Sequence, residues 1–369
     1  MNATAKGICC LCGGNLKEYI LNYPFFRHFD YETIAPSGTL FQCGQCHVIS
    51  NPRVRVSDLS LFESEKYARS KQTSQNQRAI GTSVARTRCE IQSAFIAEMF
   101  KTEKRRLSVL DVGCFDGRLL KELDKKLKGS ELWGYDINKH VKSEFPKSKN
   151  FFFAENGLES LSKSFDLITF SHSIMYFENL RSLLEKVSVL LSDRGFLFIQ
   201  IPNLIKSPLS ILLGDQFYTF TRDSTSELLN NFGFSEVFYD QNLFAREIII
   251  VFQKSKHKIK FTKKTNHCLS SFIKKVRQFS ESISLIREEE STVLGSTLNA
   301  AFVDEIIRKK LLYFIDENPK VMNSLFRGKN VIHPKDEIQS IQTILPYGEQ
   351  NNTILERIKS TPYNRYKLI

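Results

Sequence analysis

Two pairs of closely spaced cysteines stand near the start of the sequence. Cys9 and Cys12 lie in "CCLCGG", and Cys43 and Cys46 lie in "FQCGQC". A Cys-x2-Cys pair on a tight turn presents two thiolates, and four such sulfurs complete a tetrahedral zinc shell with Zn–S distances of about 2.3 Å. Cys10 is too close to Cys12 for such a turn, so Cys9 is the predicted ligand. The pattern predicts a structural Zn²⁺ site that four sulfurs close.

A second candidate site is the stretch "VLDVGCFDG", which reads as a strand that runs into a glycine-rich turn. A dinucleotide-binding turn needs glycine where Phe115 stands, because its backbone must approach a pyrophosphate. Phe115 therefore disfavours NAD or FAD. An acid before the first glycine suits a ligand that carries an ammonium group. We expect Asp111 to lie near that group, Gly113 to allow close backbone passage, and Gly117 to open the following helix.

Three further polar side chains stand at or just after the ends of predicted strands. Asp136 ends a strand in "GYDIN", Glu155 follows "NFFFA", and Ser171 ends "FDLITFS". Open α/β sheets bind ligands at the carboxyl ends of their strands. We expect Asp136 to accept hydrogen bonds from two ribose hydroxyls, Glu155 to meet an adenine edge, and Ser171 to line the pocket floor.

Alternating helix and strand patterns would hold these side chains in place. Helical apolar spacing in "RTRCEIQSAFIAEMF" precedes the short apolar strand "LSVLDVG", and the alternation continues to "FLFIQIPN". "DGRLLKELDKKLKG" predicts a helix that ends at Gly129, and "LRSLLEKVSVLLSDRG" predicts a helix that stops at a glycine before the next strand. Such alternation predicts a parallel sheet with helices on both faces. "FSEVFYD" and "AREIIIVFQK" predict an antiparallel pair at its edge.

The overall composition is that of a globular protein that meets anionic partners. The 369 residues include 52 Lys or Arg against 40 Asp or Glu, a formal net charge of +12. This excess favours phosphorylated small molecules, nucleic acid or a membrane surface as partners. No secretory signal opens the sequence, and its apolar runs are too short for a membrane span. We therefore expect a cytoplasmic protein with no membrane span.

The ordered motifs "VLDVGCFDGRLL", "GYDIN", "SFDLITFSHSIMYFENL" and "LLSDRGFLFIQIPN" resemble those of class I S-adenosylmethionine-dependent methyltransferases. The resemblance covers roughly residues 85 to 245. It implies S-adenosyl-L-methionine as methyl donor, bound by the residues named above after the strand ends. Together with the cysteine pairs and "LFESEKYARSKQTS", it extends to three-domain methyltransferases that act on nucleotide-linked deoxysugars, among them sugar C-methyltransferases.

That resemblance implies a Rossmann-like α/β core between a zinc module and a smaller C-terminal α/β domain. The strand "TVLG", a helix and the strand "LLYFID" predict a βαβ unit in the last of these, and Gly295 is the single glycine of its first turn. We expect a scaffold there. The predicted divisions are a zinc-binding module (1–55), a linker over the active site (56–85), the methyltransferase core (86–253), a basic helical connector (254–288) and the C-terminal Rossmann-like domain (289–369).

The candidate catalytic residues follow from the same resemblance, with departures. The sugar C-methyltransferases carry a histidine after the fourth strand, where this chain has Tyr176, while His172 stands four residues earlier. A later Glu-His pair of that group matches Asp215 and Gln216. Tyr67 matches an aromatic residue of the linker. The predicted catalytic residues are Tyr176, His172 and Tyr67, with Asp215 as another possible base, and both oxygen and carbon acceptors stay open.

Three functions are compatible with the sequence. The leading one is methyl transfer to a phosphate-bearing small molecule, such as a nucleotide-linked sugar or a surface-glycan precursor. An RNA methyltransferase is the alternative enzyme, because a zinc module and a Lys-rich connector could track phosphates. The absence of an Asn-Pro-Pro-Tyr-like turn after the fourth strand disfavours nucleic acid. A non-catalytic partner protein with this fold is the third, and the oligomeric state is left open.

Overall fold

The computed structural model describes residues 7–52, 54, 60, 62–64, 76–78, 85–255, 268–286, 290–316, 323–334, 336, 342–346, 356 and 367–368. Tyr67 lies outside this set. Within it, no helix combines the length and apolar character needed to cross a membrane. The chain forms two compact units. The first comprises Met1–Tyr19, Leu40–Asn203 and Gln216–Asn266, and the second comprises Ile20–Thr39, Leu204–Asp215 and His267–Ile369.

The strands of the described residues are numbered in chain order. They are β1 Leu16–Leu21, β2 Phe25–Phe26, β3 Thr33–Ala35, β4 Gly38–Cys43, β5 Ile49–Ser50, β6 Asn76–Arg78, β7 Ala85–Thr87, β8 Ser108–Val112, β9 Glu131–Tyr135, β10 Phe151–Phe153, β11 Phe165–Ser171, β12 Leu191–Pro202, β13 Tyr218–Thr219, β14 Phe234–Asp240, β15 Glu247–Lys254, β16 Ser291–Leu294, β17 Leu311–Ile315, β18 Leu325–Phe326, β19 Lys329–Ile332, β20 Gln342–Ile344 and β21 Lys367–Leu368.

The α-helices of the same residues are α1 Arg88–Met99, α2 Arg118–Asp124, α3 Leu180–Leu190, α4 Arg222–Asn230, α5 Leu269–Ser284 and α6 Leu298–Ile307. The start of α1 has a local cause. The Thr87 side chain accepts the Glu90 N–H, and the Glu90 carboxylate accepts the Thr87 N–H, so two otherwise unpaired donors are satisfied.

A seven-stranded sheet in the order β10-β9-β8-β11-β12-β15-β14 forms the centre of the first unit. The first five of these strands run parallel, while β15 pairs antiparallel with both β12 and β14. The parallel core and the antiparallel edge agree with the sequence prediction. β11 is central and its residues Phe165, Leu167, Ile168 and Phe170 are fully buried, because helices and loops cover both faces of the sheet.

Two predicted helix ends are wrong. Helix α2 ends at Asp124 and not at Gly129, and the residues after it form turns before Gly129, whose φ is 76°. The predicted glycine stop of α3 is also wrong, because the helix ends at Leu190 and β12 starts at Leu191. Leu191 already pairs with Phe165. Gly195 then fits a close approach, since a Cβ there would lie 2.9 Å from the Phe165 carbonyl oxygen.

The second unit contains a sheet in the order β18-β19-β17-β16-β20-β21. β16 runs parallel to both β17 and β20, and α6 connects β16 to β17, as expected for a βαβ unit. The turn after β16 is held by Asp316, which directly follows β17. Asp316 Oδ2 accepts hydrogen bonds from the Ser296 N–H at 3.0 Å and from the Ser296 hydroxyl at 2.7 Å.

Arg327 is a buried cation of the second unit that contacts several partners. Its guanidinium donates to Asp304 at 2.9 Å, to Glu305 and to the carbonyl of Tyr31, and its side chain is 8% exposed. Arg327 sits at a φ of 50° and Gly328 at 76°, in the two-residue turn that joins β18 to β19. Such hairpin turns need positive φ at both positions. The turn thus aims a buried cation at two acids and at the Tyr31 segment.

Replacement of Arg327 by asparagine should lower the free energy of unfolding by about 3 kcal/mol, because it leaves the buried Asp304 carboxylate with Lys329 as its remaining cation. Asparagine tolerates positive φ, so the turn itself is kept. Arg308→Asn is the matched control, because Arg308 is exposed and has a φ of 47°. Urea unfolding followed by circular dichroism measures both variants. Equal losses for the two would contradict the assignment.

Candidate active site

The turn after β8 is built on two glycines in left-handed conformations. Gly113 has a φ of 82° and Gly117 a φ of 71°, so both positions favour glycine. A Cβ on Gly113 would lie 2.4 Å from Cβ of Ser173, which follows β11. The Ser173 hydroxyl donates back to the Val112 carbonyl. The turns after β8 and β11 are therefore packed directly on one another.

Asp136 lies just after β9 and holds two backbone N–H groups. Its Oδ2 accepts the Phe115 N–H at 2.9 Å, and its Oδ1 accepts the Asn138 N–H at 2.8 Å. Phe115 has a φ of 48°, so the residue at the position of the missing middle glycine is itself in the left-handed region. Burial raises the pKa of Asp136, and the two N–H donors partly offset that rise. Each carboxylate oxygen keeps a free lone pair for a further donor.

Asp111 is the most deeply buried acid of this edge. It is 3% exposed, and its Oδ1 accepts the Thr169 hydroxyl at 2.6 Å. Burial raises the pKa of Asp111 to about 7, the Thr169 hydrogen bond lowers it, and the Asp136 charge raises it further. No described lysine or arginine forms an ion pair with either acid. A buried and a half-buried carboxylate, neither of them paired with a cation among the described residues, form a site that fits a cationic ligand.

Asn138 links this edge to the segment before the core. Its side-chain amide is completely buried and donates both hydrogens, to the Phe62 carbonyl at 2.6 Å and to the Ser64 carbonyl at 2.9 Å. The Phe62 ring in turn contacts the Tyr176 ring, with centroids 4.9 Å apart. Residues 62–64 therefore lie over the same strand ends as Asp136 and Tyr176.

The remaining predicted cofactor residues differ in their surroundings. Glu155 is exposed, with 57% of its side chain accessible, and it pairs with Lys142 at 2.6 Å. Ser171 is half-buried at the end of β11, and its Oγ accepts a hydrogen bond from Gln92 Nε2 at 2.6 Å. Ser171 thus belongs to the interior of the edge, whereas Glu155 stands at its rim.

His172 occupies a constrained position beside Ser171. Its φ is 57°, its N–H donates to the Gln200 carbonyl at 2.9 Å, and its side chain is 16% exposed. His172 Nε2 lies 3.2 Å from Glu247 Oε2, while Arg88 donates to Glu247 Oε1 at 2.7 Å. Burial alone would raise the pKa of Glu247, but Arg88 and His172 outweigh it and hold that pKa below its usual range.

Tyr176 lies in the 3₁₀ turn Ile174–Tyr176 after β11. Its hydroxyl accepts a hydrogen bond from Gln216 Nε2 at 3.1 Å, and its ring is half-buried against Phe62. The two residues that stand in place of the expected histidines, Tyr176 and Gln216, are thus bonded to each other. Tyr67, the third predicted catalytic residue, lies outside the described residues.

Asp215 belongs to the second unit. Its Oδ2 accepts the His28 N–H at 2.7 Å. Burial raises the pKa of Asp215 to about 7, and the His28 hydrogen bond partly offsets that rise. This carboxyl is therefore half protonated near neutral pH.

The four predicted zinc ligands lie together at the amino-terminal part of the first unit. The ligand sulfurs of Cys9, Cys12, Cys43 and Cys46 all lie within 4.8 Å of one another, and Cys9 and Cys46 are 3.8 Å apart. These separations are too long for disulfides and match the edge of a tetrahedron with Zn–S distances of about 2.3 Å. Cys10 lies outside the cluster, exposed, with Sγ 3.4 Å from the Tyr218 hydroxyl.

Backbone groups prepare Cys43 for a negative charge. The N–H groups of Gln45 and Cys46 donate to Cys43 Sγ at 3.3 and 3.4 Å. The Cys46 and Cys9 thiols lower the pKa of Cys43 well below its ordinary value. A Cβ on Gly14 would lie 2.9 Å from the same sulfur, so the turn passes the cluster at the distance that only glycine allows. A thiolate is the form of cysteine that binds metal.

Sequence reasoning missed four polar residues of this edge: Arg88, Gln92, Gln200 and Glu247. Gln92 and Gln200 are completely buried. The sequence contains two signals of these residues. Glu247 stands directly before the apolar run "IIIVF", where a charged residue is expected only with a partner. Gln92 likewise interrupts the apolar face of α1. Neither signal names the partner.

Comparison with known proteins supports one family. Residues 84–237 match the family described as "Methyltransferase domain", whereas no curated protein matches the chain. Among solved structures, the plantazolicin methyltransferase BpumL, in complex with a monoazolic desmethylPZN analog and SAH, is 20% identical, covering 46% of this chain and 82% of its own, with a TM-score of 0.38.

A S-adenosylmethionine-dependent methyltransferase from Clostridium acetobutylicum is 17% identical, covering 46% and 93% of the two chains, with a TM-score of 0.38. The CcbJ methyltransferase from Streptomyces caelestis is 12% identical, covering 45% and 89%, with a TM-score of 0.37. The family match and the sheet order around the two carboxylates point the same way. The chain carries a class I S-adenosylmethionine-dependent methyltransferase domain in residues 84–237.

Proposed function

We propose that this methyltransferase acts in the cytoplasm on a hydroxyl of a phosphate-bearing small molecule, a nucleotide-linked sugar or a surface-glycan precursor. S-adenosylmethionine supplies a methyl group made electrophilic by its sulfonium. The observation that carries the donor side is the pair of carboxylates formed by the buried Asp111 and the half-buried Asp136, which lack a cation among the described residues. A ligand with an ammonium group and a ribose satisfies both.

Each residue of the donor side has one task in this proposal. Asp111 binds the ammonium group, and Asp136 accepts the ribose hydroxyls on the lone pairs that Phe115 and Asn138 leave free. Gly113 lets the backbone approach the ligand, and Gly117 opens α2. Ser171 lines the floor of the pocket. Glu155, at the exposed rim, hydrogen-bonds to the adenine edge.

The acceptor side is supported by residues that surround the turn after β11. Tyr176 orients the acceptor through its hydroxyl, with Gln216 as its donor. His172 takes the proton that the acceptor loses, and Tyr67 contributes from the linker. Transfer of a methyl group demands mainly that donor and acceptor are aligned at about 3–3.5 Å. A single base is therefore sufficient for a hydroxyl.

The acceptor class rests on the resemblance of the domain order to sugar-modifying methyltransferases and on the net charge of +12. A diphosphate gains charge-assisted hydrogen bonds from Arg and Lys. In the proposal, the four cysteines hold Zn²⁺ in a closed shell. Zinc then stabilises the amino-terminal part of the first unit and takes no part in the reaction.

The acceptor is tested with radiolabelled donor. The purified protein is incubated with a panel of nucleotide-linked sugars, with nucleotide-sugar extracts and with bulk RNA. We expect the label in the nucleotide-sugar fraction and none in RNA. Phosphodiesterase treatment should change the chromatographic position of the labelled compound. Label in RNA alone would establish the alternative enzyme class. A protein that binds donor and labels neither would be a methyltransferase of another acceptor or a non-catalytic partner.

Binding of S-adenosylmethionine should weaken about five- to tenfold between pH 7.5 and pH 6. The Asp111 pKa of about 7 means that its carboxyl is largely protonated at pH 6, so binding of an ammonium group must first release that proton. Isothermal calorimetry measures the dissociation constants. In Asp111→Asn the affinity should be lower at both pH values and nearly independent of pH in this range.

Asp136→Ala should abolish measurable donor binding, because the substitution removes the acceptor of the ribose hydroxyls and of two backbone N–H groups. Asp166→Ala is the matched control, since Asp166 follows the amino end of β11 and pairs with Arg105. Equal affinity of Asp136→Ala and the wild type would rule out the donor site.

Metal analysis should find one zinc per chain, lost in Cys43→Ser and retained in Cys10→Ser. Cys43 lies inside the sulfur cluster, whereas Cys10 is exposed outside it. Inductively coupled plasma mass spectrometry measures the metal content. Unchanged zinc in Cys43→Ser, or loss in Cys10→Ser, would disprove the ligand set.

A further inference from the structure

Glu247 is a buried anion at the edge of the sheet where the reaction takes place. It opens β15, which runs antiparallel to β12 and pairs Glu247 with Pro202. A parallel strand would have its first residue at the opposite edge. The reversed direction of β15 is thus what brings Glu247 beside the carboxyl ends of β11 and β12. Glu247 also lies beyond the residues 84–237 that match the methyltransferase domain.

The contacts of Glu247 identify its charge state. Arg88 donates to Oε1 at 2.7 Å, and Gln200 Nε2 donates to Oε2. Both contacts require an acceptor on the carboxyl group, and together with His172 they keep its pKa low. Beside His172, the Glu247 carboxylate from β15 forms an ion pair with the Arg88 guanidinium from α1. Glu247 is therefore an anion over the whole physiological pH range.

This anion orients a chain of hydrogen bonds. Because Gln200 Nε2 donates to Glu247, the Gln200 Oε1 is turned toward Gln92, whose Nε2 donates to it at 2.6 Å. The same Nε2 donates to Ser171 Oγ at 2.6 Å. Ser171 is thereby an acceptor on its inner side, and its own hydroxyl hydrogen is left for the pocket. One buried charge sets the direction of each amide.

His172 is oriented by the same charge. Its Nε2 lies 3.2 Å from Glu247 Oε2 without the alignment of a hydrogen bond, and the carboxylate beside Nε2 favours the neutral imidazole that carries its hydrogen there. No described residue hydrogen-bonds to His172 Nδ1, and the side chain keeps 16% exposure. The φ of 57° and the bond from the His172 N–H to the Gln200 carbonyl hold the residue in this strained position.

From this geometry we infer that Glu247 is a positioning residue that sets His172 as the general base, with Nδ1 as the proton acceptor. The inference rests on the proposed function. As the acceptor oxygen bonds to the methyl carbon, the carbon–sulfur bond breaks with its electron pair left on sulfur, and the hydroxyl proton moves from oxygen to His172 Nδ1. The resulting imidazolium faces the Glu247 carboxylate, which stabilises it.

The first test needs no acceptor. In the wild-type protein labelled with ¹⁵N-histidine, long-range ¹H–¹⁵N spectra report which nitrogen of His172 carries hydrogen, and His172→Asn assigns the signal while asparagine tolerates the positive φ. We expect the neutral form with hydrogen on Nε2. Hydrogen on Nδ1 would overturn the inference even if the protein transfers methyl groups. The expected tautomer in a protein without methyltransferase activity would refute only the proposed acceptor.

The second test uses the pH dependence of kcat at saturating donor. His172→Asn should lower kcat about 100-fold or more, as expected for loss of a general base, with the donor dissociation constant within about twofold of wild type. Glu247→Gln should lower kcat about tenfold. It should also move the acidic limb of the profile to lower pH by about one unit, because an opposite charge beside the imidazole is lost. Glu247→Asp should restore the limb toward its wild-type position.

Glu236→Gln is the matched control. Glu236 lies in the neighbouring strand β14, where it pairs with Arg222 and accepts the Ser226 hydroxyl. It should leave both kcat and the profile unchanged. An unchanged kcat in Glu247→Gln would overturn the inference, as would a lower kcat with an unmoved acidic limb, because a merely structural role lowers kcat without a shift in pH.

Discussion

The site depends on the pairing of β8 with β9 on one side and with β11 on the other. These parallel ladders bring the carboxyl ends of three strands to one edge, and each strand delivers a polar residue there: Asp111, Asp136 and Ser171. The pairing also explains why the edge is electronegative. The strand interiors are apolar and buried, so the carboxylates at their ends are poorly solvated and their pKa values rise. A cationic ligand removes that penalty.

The antiparallel strand β15 adds what the parallel strands cannot. The amino end of an antiparallel strand meets the carboxyl ends of its neighbours, so β15 introduces Glu247 into an edge otherwise built from strand ends. Arg88 of α1 forms an ion pair with Glu247, so the charge of this carboxylate is neutralised within the protein. Among the described residues, Asp111 and Asp136 form no ion pair, whereas Glu247 is already paired with Arg88.

The strand, turn and helix at β8 could be predicted from the sequence because their signals are local. Asp111, Gly113 and Gly117 occur within one strand-turn-helix unit, and the positive φ of both glycines follows from that turn. The contacts of Glu247 could not be predicted, because Arg88 is 159 residues away and meets it only after β15 has reversed direction. The ends of α2 and α3 differ from the prediction for another reason. A glycine after a helical pattern predicts a helix stop, but Leu191 pairs with Phe165 in the sheet, so α3 already ends at Leu190.

The contact between Gly113 and Ser173 limits how such an enzyme can diverge. A side chain at 113 has no room, and Ser173 is fixed to the Val112 carbonyl. The turn after β8 and the start of the turn after β11 therefore form a single rigid block. Natural variation or laboratory evolution toward new acceptors would have to work around that block, through Tyr176, Gln216 and the segment of Phe62. Under the proposed function, mutational freedom is thus concentrated in residues that do not bind the donor.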